Sequence, residues 1–220
     1  MEPKYRMTRE DNIFVAKRNI VDYIWKSAKL EGLTVTYPDT DAIYNGISVA
    51  NVPVAEIIAV NNLKYAWHFV LDNLDYSIDY PFICQINRLV GGDTLIRDAG
   101  NPRKIPVRIG GTAWTPDMPI ESQIKEQLAD ILSTKSHTER AIMLTLYLMR
   151  KQIFLDGNKR VAMLAGNQMM IASGSGIISI PVERQPTFRN MLIAFYESGD
   201  PGELSYFIYE NCIDGMNFDA

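Results

Sequence analysis

Five consecutive residues, Asp156-Gly157-Asn158-Lys159-Arg160, bring together a carboxylate, a glycine, an amide side chain and two cations. Gly157 lets the backbone turn with no side chain in the way. A helix that starts at Asn158 leaves its first N–H groups without intrahelical partners, which makes an anion site by geometry and by dipole. Lys159 and Arg160 add formal positive charge beside it. Asp156 stands just ahead, where it can hold a Mg²⁺ ion bridging phosphate oxygens. The set suits a nucleotide polyphosphate such as ATP. The same residues also suit a plain helix–turn–helix corner, with Asn158 as a cap and the two cations in solvent. Phosphate-handling chemistry at such a corner often wants a base nearby. The residue two places before Phe154 is Gln152, whose amide does not accept a proton near neutral pH. The chain has two histidines, His68 and His137. The first falls inside a predicted helix and reads as a packed or partly exposed helix residue. The second precedes the helix that leads into the corner and reads as an N-terminal turn residue, not as a substitute base.

Apolar periodicity supplies the elements that position this corner. Ile13, Ala16, Ile20, Tyr23 and Ile24 predict an amphipathic helix over 12–29, stopped by Glu31-Gly32. A short helix is expected at 40–45 and a long one at 54–74, entered just after Pro53. Another runs over 81–89 and stops at Gly91-Gly92. Residues 93–119 change character. Val107 and Ile109 alternate with Arg108, which suits a strand with one wet face, and Pro106 confines it to a sheet edge. This region is read as a β-hairpin or flap whose edge could pair with an extended segment of another chain. Trp114 is read as a hydrophobic clamp fixing that flap, or else as a ring packing over adenine or a target side chain. Arg97, Arg103, Lys104 and Arg108 are read as the solvated face of the hairpin, with a local basic patch as the alternative. Helices resume over 120–132 and 138–151, the latter apolar nearly all round and so central. Val161, Leu164, Ala165 and Ile171 mark the helix after the corner, which ends at the glycines of 173–176. Residues 186–212 read as two helices broken at Gly199-Asp200-Pro201-Gly202. The sum is one mainly α domain with a small β-flap.

The chain has 220 residues, enough for one good core and short for two. It is 47% hydrophobic and 22% charged, as an ordinary globular protein is. A net charge of -4 argues against nucleic acid as the partner, and with it against a DNA-linked regulatory role. Cys84 and Cys212 form no CxxC pair, so neither a zinc site nor a disulfide framework is suggested. The opening MEPKYRMTREDN is polar and unlike a signal peptide, and the longest apolar run, 141–149, is too short to span a bilayer. The cytoplasm is the expected compartment, with no membrane partner.

The corner resembles the Fic-domain signature, HPFxxGN, then G or K, then RxxR. Phe154, Gly157, Asn158, Lys159 and Arg160 match in register, and Asp156 takes the acidic position. The GNKR form is similar to the Doc branch. IPVRIGGTAWTP, 105–116, resembles the flap that precedes the motif in many Fic proteins. Ser27-Ala28-Lys29-Leu30-Glu31-Gly32 resembles the family's inhibitory pattern, S/T-x-x-x-E followed by G or N. The resemblance implies a helical core with the motif between two helices and a β-hairpin flap. It implies a single Fic unit over 1–220. Within it lie an N-terminal helical part at 1–75, a core at 76–180 with the motif at 152–160, and C-terminal helices at 181–220. The activity it implies is transfer of AMP from ATP to a Ser, Thr or Tyr hydroxyl of a target protein, with self-association plausible for the family. Asp156 would hold Mg²⁺, and Gly157, Asn158, Lys159 and Arg160 would cradle phosphates. Val107, Ile109, Gly110, Gly111 and Thr112 would meet the target, and Ser27, Glu31 and Gly32 would inhibit. The sequence departs from the pattern twice. Gln152 and Ile153 replace the motif His-Pro, and Met163 replaces the last Arg, the usual partner of the inhibitory Glu. An inactive nucleotide- or protein-binding module is therefore one alternative, and Doc-like transfer of a phosphoryl group, with Gln152 again at the base position, is another.

Overall fold

A computed structural model describes residues 1–217. Ten α-helices follow one another among them: α1 Arg9–Arg18, α2 Ile20–Leu30, α3 Tyr37–Tyr44, α4 Val54–Asp72, α5 Tyr80–Gly91, α6 Glu121–Leu132, α7 His137–Lys151, α8 Asn158–Ala172, α9 Gln185–Ser198 and α10 Gly202–Asn211. Two short strands, β1 Ile177–Ile178 and β2 Ile213–Asp214, pair antiparallel. The chain is mainly α, as the periodicity predicts. Among the described residues no helix is long and apolar enough to cross a membrane.

The central pair is α7 and α8. Ala141, Ile142, Leu144, Leu146, Leu148 and Met149 of α7 are buried, as are Val161 through Ala165 of α8. Their close approach depends on Gly166, where an added Cβ would lie 2.0 Å from Thr145 Oγ1 and 3.2 Å from the Ala141 carbonyl. Gly166→Ala is expected to cost about 1–3 kcal/mol, in the range of other overpacked cores. That lowers Tm by roughly 2–4 °C per kcal/mol for a chain of this size. Adding Thr145→Ala, which removes the hydroxyl in the way, should recover most of the loss in a thermal melt.

Three expectations need correction. The helix predicted over 12–29 is two helices, because Asn19 (φ -107°, ψ 11°) ends α1 and opens α2. The predicted hairpin is absent: residues 105–116 form no strand. Pro106 removes a ladder donor, Gly110-Gly111 makes a turn, and no second strand lies alongside. The segment is an irregular flap. Three side chains tether it. Trp114 stacks on Tyr196 of α9 at 5.6 Å, with the Arg150 guanidinium 4.5 Å from its ring centroid. Thr112 Oγ1 donates to Glu197 Oε1 at 3.0 Å. Trp114 is thus the clamp. Arg103, expected on a solvated face, is 3% exposed. The strands that do form, β1 and β2, lie elsewhere and are too short to show as alternation.

The end of α2 is held as firmly as the core. Gly32 (φ 84°) donates to the Lys29 carbonyl and Leu33 to that of Ala28, a Schellman closure. Arg189 of α9 adds bonds to the carbonyls of Lys29 and Leu30. Glu56 of α4 accepts from the N–H groups of Thr34 and Val35. Glu31 sits between these anchors, so its position is set by the fold rather than by its own contacts.

Candidate functional site

The corner between α7 and α8 opens into a cleft of about 390 Å³. Gln152, Asp156, Asn158 and Lys159 line it on the motif side, Val107 to Gly110 on the flap side, and Glu31 and Leu192 elsewhere. Gly157 turns at φ 80°, and its N–H meets Asp156 Oδ1. Asn87, fully buried on α5, donates to the Asp156 carbonyl at 3.0 Å and accepts from Gly100 N–H at 2.8 Å. It joins the corner to the segment that leads into the flap.

Asn158 faces inward and is 6% exposed. Its Oδ1 accepts from Phe154 N–H at 3.0 Å, and its Nδ2 donates to the Phe154 carbonyl at 2.8 Å and to Gln152 Oε1 at 3.1 Å. The side chain is a staple across the loop, not the cap of α8. The first N–H groups of α8, those of Asn158, Lys159 and Arg160, consequently remain without a protein partner among the described residues. Arg160 Nε is also buried with no hydrogen-bond partner among the described residues. Unpaired amides beside an unpaired guanidinium donor are the signature of an anion site.

Electrostatics close this site from the side. Glu31 Oε2 lies 3.4 Å from Lys159 Nζ, and its Oε1 lies 4.0 Å from Arg160 Nε. Arg160 also pairs with Asp156 Oδ2 at 3.2 Å. Glu31 therefore faces both motif cations, in the absence of an arginine at 163. Met163 is buried, and with Ser27 it lines a small cavity between α2 and α8.

Gln152 ends α7 at φ 49°, ψ 57°, a left-handed conformation that residues other than glycine rarely adopt. Its Nε2 donates to the Met149 carbonyl at 2.6 Å while Oε1 accepts from Asn158. The amide serves the loop at both ends. Neither histidine stands in for the missing base. His137 is the first residue of α7, about 22 Å away by the rise of an α-helix. His68 stacks on Tyr44 between α3 and α4, with its Nε2 3.3 Å from the Tyr44 hydroxyl. The Tyr196 phenol beside Gln152 is pushed up by burial and by the Glu31 charge, against a hydrogen bond from Gln152, and stays protonated at neutral pH.

Mg²⁺ and ATP fit these donors. Asp156 keeps an exposed carboxylate, and a Mg²⁺ ion needs only one or two carboxylates when phosphates supply its other ligands. Among the described residues no group of three or more His, Cys, Asp or Glu side chains is arranged to hold a metal ion without such help.

Residues 77–170 match the family model described as Fic/DOC family. The chain is 27% identical over 179 residues to the protein adenylyltransferase fic-1 of Caenorhabditis briggsae, covering 76% of this chain and 34% of that protein. It is 29% identical over the same length to its counterpart in Caenorhabditis elegans. The chain thus spans about a third of the length of these curated relatives. In fold it is similar to Fic-1 (residues 134–508) from C. elegans, with TM-score 0.74 and 22% identity over 89% of this chain and 61% of that one. A Fic-domain signaling protein from Bacteroides thetaiotaomicron gives TM-score 0.75 and 20% identity over 93% and 85%. The motif corner, the flap, α7 and most of α8 fall within residues 77–170, the stretch of this chain that is similar to the Fic/DOC family.

Proposed function

We propose that this chain binds ATP at the α7–α8 corner and transfers AMP to a hydroxyl of a target protein, slowly for want of a base. The observation that carries the reading is the set of unpaired donors, the α8 amides and Arg160 Nε, beside the Lys159 ammonium. Lys159, Arg160 and the amides would hold the phosphates, and Asp156 would hold Mg²⁺, which when bound supplies charge neutralisation. In the reaction the acceptor oxygen bonds to the α-phosphorus and the bond to the pyrophosphate breaks. The hydroxyl proton leaves to water or to phosphate. Positioning and charge stabilisation supply most of the acceleration in such a site. The relatives named as protein adenylyltransferases support this choice of transferred group.

A second reading is a nucleotide-binding module without turnover. It is favoured by Gln152, whose amide must release a loop bond before it can orient an acceptor.

Glu31 gives the direct test. ATP phosphates and the Glu31 carboxylate compete for Lys159 and Arg160. Glu31→Gly is expected to tighten ATP–Mg²⁺ binding about tenfold, the equivalent of ~1.4 kcal/mol of released charge pairing. Calorimetry on both proteins measures this. Absent binding by either protein ends both readings. Binding with no labelled AMP transferred to lysate proteins, even by Glu31→Gly, leaves the second.

A further inference from the structure

Arg103 is buried with no carboxylate within salt-bridge distance among the described residues. Its donors instead go to main-chain carbonyls in three places, and Nη1 also reaches Met118 Sδ at 3.2 Å. Nε donates to Gln152 at 2.8 Å, on the motif loop. Nη1 donates to Ile105 at 3.0 Å, where the flap leaves the body. Nη2 donates to Pro116 at 3.2 Å and also to Asp117, where the flap returns. Its own N–H adds a bond to the Ile153 carbonyl at 2.9 Å. A charge taken out of water this completely is costly unless every donor is satisfied. Here carbonyl dipoles satisfy it, and only a planar fork can reach three separate stretches of backbone at once.

We propose that Arg103 is a positioning residue that fixes the offset between the flap and the phosphate-binding corner. Through the Gln152 carbonyl it ties both limbs of the flap to the residue at the base position. Whatever lies along Val107 to Gly110 is thereby held at one distance from the α8 amides. Trp114 and Thr112 fasten the tip of the flap to α9, and Arg103 fastens its base to the motif, beside the Asn87 link between Gly100 and Asp156. The bearing on an acceptor rests on the transfer reading above. The mechanical part does not.

The test compares the wild-type chain with Arg103→Lys, which keeps the charge and loses the fork, and Arg103→Gln. Hydrogen exchange of residues 104–118 is expected to rise about tenfold in both variants, while α7 and α8 stay within about twofold of wild type. Flap exchange that does not change, or that rises together with α7 and α8, overturns the proposal. On the Glu31→Gly background, the acceptor KM should rise about tenfold with ATP affinity unchanged, and an equal loss in both overturns it. Should neither variant fold, the wild-type protein still decides. Its Arg103 Nε–H is expected to give a slowly exchanging NMR signal, and a rapidly exchanging one overturns the proposal. If the wild-type chain transfers no AMP, the exchange and NMR arms stand, so a failure of the transfer reading is separable from a failure of this one.

Discussion

Gln152→His is expected to raise the rate of AMP transfer by about 10²-fold or more, since a positioned general base commonly contributes about 10²–10⁴. The site is otherwise prepared for it. The backbone at 152 is left-handed, a conformation in which histidine is better represented than most residues. Its carbonyl is held by Arg103, so the side chain leaves from a fixed point. Asn158 keeps two bonds to Phe154 whatever stands at 152, so the loop should survive the loss of the glutamine amide. The variant should also acquire a pH dependence. A histidine base is active when neutral, so its rate should climb with pH through about 6–7 and then level off. The wild-type rate should lack that step. An assay with labelled ATP, on the Glu31→Gly background so that Lys159 is free, reads both. If Gln152→His is no faster than wild type, the missing base is not what limits the chain. The substitution at Met163 then becomes the next suspect, tested by Met163→Arg.

The corner was legible in the sequence because its physics is local. Glycine, a helix start and two cations act over five residues, and no distant contact is needed to recognise them. The long helices were legible for a similar reason, as periodicity repeats within each segment. What escaped was the support. Asn87 bonds to Asp156, 69 positions away, and Arg103 to Gln152, 49 away. Neither spacing leaves a local trace. One signal was available for Asn87. It interrupts an apolar stripe, Ile83, Ile86 and Val90, so it had to be buried with a polar partner. Arg103 offered none, since an arginine in a polar run with three other cations looks solvated. The flap misled for the opposite reason. Val107-Arg108-Ile109 alternates as a strand does, but alternation shows only that a strand is permitted, and pairing needs a neighbour that Pro106 and Gly110-Gly111 do not help to form.

Gly157→Ala is expected to remove both stability and anion binding. The residue sits at φ 80°, where an L side chain costs about 1–2 kcal/mol. An added Cβ would also lie 2.8 Å from Ile96 Cδ1, 3.2 Å from Asn87 Nδ2 and 3.3 Å from Val90 Cγ1. Ile96 is buried and Asn87 is fixed by two main-chain bonds, so neither can yield cheaply. Overpacking of this kind adds about 1–3 kcal/mol. The total, about 2–5 kcal/mol, lowers Tm by roughly 4–20 °C in a chain of this length. The same displacement would pull Asn87 off the Asp156 carbonyl and turn the α8 amides away from the cleft, so ATP–Mg²⁺ binding should fall below detection in calorimetry. Gly110→Ala is the control. Its Cβ would meet nothing within 4 Å, and its melting temperature should match wild type. A Gly157→Ala protein that melts with wild type and binds ATP as tightly would mean that the left-handed turn is not what holds the amides in place, and the anion site would lose its physical basis.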